Sequence, residues 1–357
     1  MGAPRLAGLV LGGLAAAALA RLWISSLFIG GHLLAWIDGL SLEAAARAPV
    51  RSGGPPGPAP VRLRIAVGLA TAGRPAIVGE TLMRIARQTR PPDVVLVCAP
   101  TEADVSRDVL ASGRPDFPAT EILFGARGLT RQRNAILDRL PDADIICFFD
   151  DDFVPDRDYL AALERAFLQD QTLVGATGAV IADGITGPGY SFAEADALLA
   201  QRSRTDTAAA TPVYNAYGCN MAFRLRQIRA ANLRFDERLP RYGWLEDVDF
   251  SRRAARFGTL ARIEGAVGVH LGTKGGRQSG LCFGYSQIAN PVHLVRKGSY
   301  AWPRAAWLMS RNLGMNLVRA SRPEPHIDRR GRVAGNFAAL RDFLRGRLDP
   351  ERIEGLS

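Results

Sequence analysis

The chain has 357 residues, 47% of them hydrophobic, and a formal net charge of +10 carried almost wholly by arginine, the lysines being Lys274 and Lys297. That length holds one large or two small domains with a sizeable core, and the basic balance suits anionic partners such as nucleotide phosphates or acidic lipid headgroups. Nucleic acid is a poor fit, because no basic run is interleaved with aromatics and no nucleic-acid motif is present.

The N-terminal part, residues 1–45, is hydrophobic. From Leu6 to Trp36 its apolar run is broken mainly by Arg21, Ser25, Ser26 and His32. Each half is shorter than the roughly 20 residues that span a bilayer. Three readings stay open: a membrane anchor or re-entrant hairpin held by Arg47, Arg51, Arg62 and Arg64, a cleaved export signal ending near Ala18-Leu19-Ala20, or sequence upstream of the domain proper. Membrane association is the favoured one. Residues 46–60 include RSGGPPGPAP, a Pro/Gly linker that cannot pack and marks a boundary.

A main domain, 61–280, then alternates apolar strands with amphipathic helices. LRIAVGLAT predicts a buried strand and Pro75 to Gln88 a helix with proline near its start. VVLVCAP predicts a second strand, Ala103 to Ala111 a helix, TEILFG a third strand and Leu129 to Leu140 a helix. DIICFFD predicts a fourth strand, Asp156 to Leu168 a helix and LVGATGAVI a fifth strand. Such alternation implies an α/β fold with a mainly parallel, Rossmann-like sheet covered on both faces, and ligands at the carboxyl ends of its strands. Beyond Gly184 the pattern is irregular. Residues 281–357 form a helical extension, within which Trp302 to Ala320 predicts an amphipathic helix for the domain surface or for anionic lipid. Cys98, Cys147, Cys219 and Cys282 lack CxxC spacing, so buried reduced thiols are expected and a structural zinc site is not.

Chemistry concentrates in two acidic clusters. Asp150-Asp151-Asp152 ends the fourth strand, and three adjacent carboxylates repel unless a hard divalent cation sits among them. Alternate residues of an extended chain point the same way, so Asp150 and Asp152 converge on one metal, or divide between metal and ribose. Glu246-Asp247-Val248-Asp249 opens a helix behind Tyr242-Gly243-Trp244. Carboxylates there suit the helix dipole, the aromatics suit sugar stacking, and the pair supplies a general base for a hydroxyl nucleophile.

ATAGRP, GLTRQRNAIL, FFDDDFVP, YGCNMAFR and GWLEDVDFSRRAARFG, in that order between Val61 and Gly258, resemble a family 2 glycosyltransferase with the GT-A (nucleotide-diphospho-sugar transferase) fold. The tail from Tyr285 to Ile353 resembles bacterial members associated with surface-polysaccharide biosynthesis. The resemblance implies an inverting, nonprocessive transferase using Mn2+ or Mg2+. Its donor would be a UDP-, dTDP- or GDP-sugar, and its acceptor a lipid-linked or polysaccharide hydroxyl at the cytoplasmic face of the bacterial inner membrane.

It also implies residue roles. Thr71 and Arg74 lie near the nucleotide, and Arg133 and Asn134 border the base, with Gly128 allowing close backbone approach. Asp150 and Asp152 match the DxD metal and ribose contacts, with Asp151 beside them in the nucleotide-sugar site. Gly218, Cys219 and Asn220 line the sugar pocket. Asp247 is the general base and Glu246 helps bind acceptor or donor sugar. His270 completes the metal shell. From the residues themselves, Tyr242, Trp244 and Arg277 are acceptor candidates, and Arg277 and Lys274 lie within a glycine-rich loop able to close over phosphates.

Cys98-Ala99-Pro100 stands where many members carry a base-reading acidic residue, which leaves the base open. The absence of QxxRW argues against a processive synthase. Two rivals exist. A nucleotidylyltransferase would need a lysine-bearing phosphate loop after the first strand, where ATAGRPAIV stands instead. A noncatalytic membrane-bound sugar-binding protein would show no metal-dependent nucleotide affinity.

Overall fold

The computed structural model describes residues 62–106, 118–202, 209–275 and 279–356. The N-terminal segment and linker of the sequence reading lie outside them, as do Arg277 and most of the helix expected at Ala103 to Ala111. Of that helix only a single 3-10 turn, Glu102–Asp104, is described.

Four strands come first: β1 (Ile65–Ala70), β2 (Val94–Ala99), β3 (Thr120–Phe124) and β4 (Ile145–Asp150). They lie side by side as β3-β2-β1-β4, all parallel. Between them run helices α1 (Pro75–Ile85) and α2 (Leu129–Arg139), and α3 (Tyr159–Gln169) follows β4. Continuous apolar runs such as IAVGLA are what a strand covered on both faces requires. Ile65, Val67 and Leu69 pack with Val78 and Leu82 of α1 and Leu160 and Leu163 of α3. The alternate residues Ala66, Ile146 and Phe148 pack on the opposite face with Ile136 of α2.

The second half of the sheet is mixed. It contains β5 (Phe153–Pro155), β6 (Leu173–Asp183), β7 (Ala210–Pro212), β8 (Asn220–Arg224) and β9 (Thr259–His270). Strand β8 is inserted antiparallel between β4 and β6, and β9 then runs parallel to β6. Two reversals restore direction, so β4, β6 and β9 all point the same way. Asp150, Asp183 and His270, the last residues of these three strands, therefore stand along one carboxyl edge of the sheet. Short helices α4 (Phe192–Ala200), α5 (Leu225–Ala230) and α6 (Glu246–Ala254) complete this half.

Three longer helices end the chain: α7 (Gly280–Lys297), α8 (Trp302–Arg319) and α9 (Arg329–Leu344). Gly284 and Gly335 let α7 and α9 touch backbone to backbone. A Cβ at either would lie 2.1 Å from a carbonyl oxygen of the other helix. A buried amide network of Gln287, Asn316 and Asn336 joins all three helices, with hydrogen bonds of 2.8 and 2.9 Å from Asn316. Helix α8 buries Ala305, Gly314 and Asn316 and exposes Trp302, Leu317 and Val318. Among the described residues no helix is long and apolar enough to cross a membrane.

Candidate active site

The carboxyl edge gathers the acidic triplet. Asp150 and Asp152 have carboxylate atoms that lie, with a ring nitrogen of His270, within 4.8 Å of one another. Register explains the meeting: on β9, His270 pairs with Phe153 of β5 on one side and with Asp183 of β6 on the other. His270 Nδ1 is 3.0 Å from Asp183 Oδ1, which leaves Nε2 facing Asp152 Oδ1 at 3.4 Å. A carboxylate on one ring nitrogen with the other aimed at a ligand cluster is the usual orienting shell of a metal-binding histidine. Two carboxylates and an imidazole suit Mn2+ or Mg2+.

Electrostatics agree with that fit. Burial works against a charged imidazole, but the hydrogen bonds from Asp152 and Asp183 outweigh it and raise the His270 pKa to about 10. Burial likewise opposes the Asp152 charge, but the His270 hydrogen bond prevails and lowers its pKa to about 2. A divalent cation binding there would compete with a proton for the His270 ring nitrogen.

Asp151 faces the other way. Its carboxylate accepts from Thr71 Oγ1 at 2.7 Å and from Arg74 at 2.9 Å, and its backbone carbonyl accepts from Thr81 Oγ1 at 2.6 Å. Burial raises its pKa to about 6 against the pull of Arg74. Arg74 also donates to the Gly275 carbonyl at 2.7 and 2.9 Å, tying the loop after β1 to the loop after β9. In that second loop the Thr273 N–H donates to Asp152 Oδ2 at 2.7 Å, and Lys274 donates to the carbonyl of Gly184 at 2.7 Å.

The second acidic cluster sits opposite, at the start of α6. The approach to it is strained: Arg241, Gly243 and Leu245 all adopt left-handed backbone, φ being 58°, 63° and 73°. Glycine takes that conformation freely, whereas Leu245 does so at a cost. Asp247 Oδ2 accepts the Gly218 N–H at 3.0 Å, and its Oδ1 accepts the Val248 N–H at 2.8 Å. Burial raises the pKa of Asp247 against those two hydrogen bonds. Burial and then the Asp247 charge raise that of Glu246 to about 8, against Arg133. A Cβ at Gly218 would lie 3.0 Å from Glu246 Oε1, so the position admits little beyond glycine without moving Glu246.

Arg133 joins the two clusters. It is 1% exposed. One guanidinium donates to Asp150 Oδ1 at 2.9 Å, to the Gly218 carbonyl at 2.8 Å and to Glu246 Oε1. It also stacks on Phe148 and Phe235, whose ring centroids lie 5.7 and 5.5 Å from its carbon.

The expected residues are thus partly gathered and partly not. Asp150, Asp152, His270, Glu246, Asp247 and Gly218 surround one edge of the sheet, with Thr71 and Arg74 beside Asp151. Gly128, with φ of 140°, caps α2 nearby. Tyr242 is 44% exposed, and Trp244 is half-buried with its ring 5.7 Å from that of Phe283.

Four side chains expected on the nucleotide or sugar are engaged elsewhere. Arg133 is buried between carboxylates. Asn134 donates to the Phe235 carbonyl and to Glu237 at 3.0 and 2.7 Å. Cys219 lies in the core, where burial keeps its thiol protonated. Asn220 is fully buried and accepts from Thr177 within the sheet.

Three residues escaped the sequence reading: Asp183, Tyr217 and Gln132. The Tyr217 hydroxyl donates to Asp183 at 2.8 Å, holding the carboxylate that orients His270. Gln132 donates to the carbonyls of Thr71 and Cys98, both at 2.8 Å, and pins the ends of β1 and β2 to α2. The fifth predicted strand ends at Ile181, and the observed β6 runs on to Asp183; a carboxylate just past that predicted end is the available signal.

No protein-family model matches the chain, and no curated protein matches it in sequence. Solved structures do. The mannosyltransferase PcManGT from Pyrobaculum calidifontis, in complex with GDP-Man and Mn2+, superposes with a TM-score of 0.52. The superposition covers 94% of this chain and 95% of that one at 17% identity. S. aureus TarS 1-349 in complex with UDP-GlcNAc matches at 0.48, over 80% of this chain and 92% of that one at 12% identity. The likeness to PcManGT, which runs through nearly the full length of both chains, shows that this chain has the GT-A glycosyltransferase fold.

Proposed function

We propose that the protein is a metal-dependent glycosyltransferase that moves a sugar from a nucleotide-diphosphate donor to an acceptor hydroxyl. The observation that carries this reading is the convergence of Asp150, Asp152 and His270 opposite Asp247, with Arg133 holding the two sides together. The cation, when bound, would neutralise charge on the departing diphosphate.

The chain's own residues do the rest. Thr71 and Arg74 fix Asp151 and so the shape of the triplet. Asp183 and Tyr217 set the His270 ring. Asp247, held by two backbone N–H groups, takes the acceptor proton as the hydroxyl oxygen attacks the anomeric carbon. The raised pKa of Asp247 suits a base that must gain that proton and release it again. Attack by an acceptor on the face opposite the diphosphate gives inversion. In this reading the enzyme is nonprocessive and works on a lipid-linked or surface-polysaccharide acceptor at the cytoplasmic face of a bacterial membrane.

The mannosyltransferase with GDP-Man and TarS with UDP-GlcNAc frame the donors to test first. Calorimetric titration of GDP, UDP and dTDP with and without Mn2+ decides the matter. Manganese-dependent binding of at least one is expected. Binding indifferent to metal, or none, would overturn the reading.

A further inference from the structure

A cleft of about 300 Å³ opens where the end of α6, the turn between α7 and α8, and the segment before β8 meet. Arg252, Arg256, Tyr214, Ser299 and Tyr300 line it together with three small residues, and no acidic side chain does.

Its cations are crowded. Arg252 donates to the Tyr214 carbonyl at 2.9 Å and lies 4.4 Å over the Tyr214 ring. Arg304 of α8 lies 4.0 Å over the same ring. Arg256 donates to the Gly298 carbonyl at 3.5 Å. Neither Arg252 nor Arg256 meets a carboxylate among the described residues. Each guanidinium carries five donors, so a carbonyl apiece leaves most of their hydrogen-bonding capacity for a ligand. Guanidinium groups facing one cleft repel, and an anion with several oxygens relieves the repulsion while accepting paired N–H bonds.

The location connects this cleft to the base. Tyr214 and Tyr300 pack with Trp244, Leu245 and Val248, the residues that flank Glu246 and Asp247. Burial and the neighbouring Tyr214 push the Tyr300 hydroxyl up to about 12, and the Asp247 charge adds to the effect. Next in sequence to lining residues, Phe257 after Arg256 and Trp302 after Ala301 are 47% and 49% exposed. Apolar rings next to arginines suit a molecule that is anionic at one point and apolar beyond it.

We propose that this cleft seats a phosphate group carried by the acceptor, placing the acceptor's hydroxyl toward Asp247. This rests on the glycosyltransferase reading and adds a substrate class to it, a phosphate-bearing acceptor. A lipid-linked phosphate and a soluble phosphate ester present the same group, so the test has an arm for each.

The full chain is titrated calorimetrically with inorganic pyrophosphate in EDTA, which silences a metal-dependent donor site. It is also pelleted with phosphatidylcholine vesicles with and without phosphatidylglycerol. The wild type should bind pyrophosphate, and R252Q/R256Q should bind it about tenfold more weakly or worse, the loss expected for charge-assisted hydrogen bonds. A parallel loss of phosphatidylglycerol-dependent pelleting assigns the group to a lipid headgroup. Unchanged pelleting assigns it to a soluble ester. Arg256 is exposed, so R256Q alone should leave the melting temperature unchanged and show a smaller loss. Equal pyrophosphate affinity in wild type and double variant, or none in the wild type, overturns the proposal. Manganese-dependent nucleotide binding by the wild type is measured separately. Its absence would sink the glycosyltransferase reading while leaving the cleft result to stand.

Discussion

Arg133 of α2 and Glu246 of α6, two helices that pack on the same face of the sheet, form a buried ion pair whose guanidinium also holds Asp150. One desolvated cation therefore serves two carboxylates, one at the end of β4 and one at the start of α6. Removing it strands both. R133M should cost about 3–5 kcal/mol in urea unfolding, the range for breaking a buried pair by deleting one partner. R133M/E246Q should recover part of that loss. A cost below about 1 kcal/mol for R133M would mean that the two clusters are held by something else.

The base assignment makes its own demand. D247N keeps size and hydrogen bonding but cannot take a proton. Turnover should fall by about a hundredfold or more, while manganese-dependent nucleotide binding stays within about twofold. Full activity in a coupled transfer assay would exclude Asp247 as the base.

Asp183 provides a test of the metal side that leaves Asp150, Asp152 and His270 themselves unchanged. It orients His270 from behind, with Tyr217 supporting it. D183N should weaken Mn2+ binding by about tenfold to a hundredfold, as loss of an orienting partner does. H270Q should weaken it at least as much. Electron paramagnetic resonance of free manganese measures both without any assay of transfer.

Asp236 carries an acid-sensitive element. It pairs with His293 at 2.8 Å and Lys297 at 2.7 Å, tying the segment before α6 to α7. Burial opposes its charge, but these partners prevail and hold its carboxyl well below the usual range. The folded pKa lies below the unfolded one. The stabilisation is thus present above the ordinary carboxylate pKa of about 4 and lost as pH falls through it toward the folded value. Unfolding measured from about pH 6 downward should show a stability loss that is smaller in D236N. Parallel acid limbs in the two proteins would contradict the assignment.

Gly218 tests packing against chemistry. An alanine there must displace Glu246 Oε1, 3.0 Å from the new Cβ, and crowds Asp247 Oδ2 at 3.4 Å. G218A should lower turnover by about tenfold or more, because sub-ångström misplacement of a catalytic group is costly, with a smaller change in melting temperature. Wild-type kinetics in G218A would show that the base tolerates movement.

Much of this molecule is legible in its amino-acid sequence. Continuous apolar runs marked β1 to β4 and β6, because strands buried on both faces need no alternation. Pro75 marked the start of α1. The triplet, His270 and the Glu246-Asp247 pair were recognisable as chemistry. Strands β5 and β7, three residues each, are too short to show a period. The antiparallel insertion of β8 was hidden for another reason: its partners lie far away in sequence, and local pattern carries no record of pairing. The same limit misassigned side chains. Asn134, Cys219 and Asn220 stand inside the right motifs, but their side chains turn into the core. Arg133, expected beside the nucleotide base, is instead enclosed where β4 and α6 meet, held by Asp150 and Glu246.

The alignment of three strand ends at Asp150, Asp183 and His270 has a consequence for folding. Their proximity exists only when β8 has entered the sheet and β9 has docked on β6 in register, since a one-residue slip would turn the imidazole to the opposite face. An ion held there would act as a removable cross-link between segments far apart in the chain. Manganese should then slow unfolding and shift the melting curve upward with concentration, so that metal affinity reports whether the far half of the sheet has assembled.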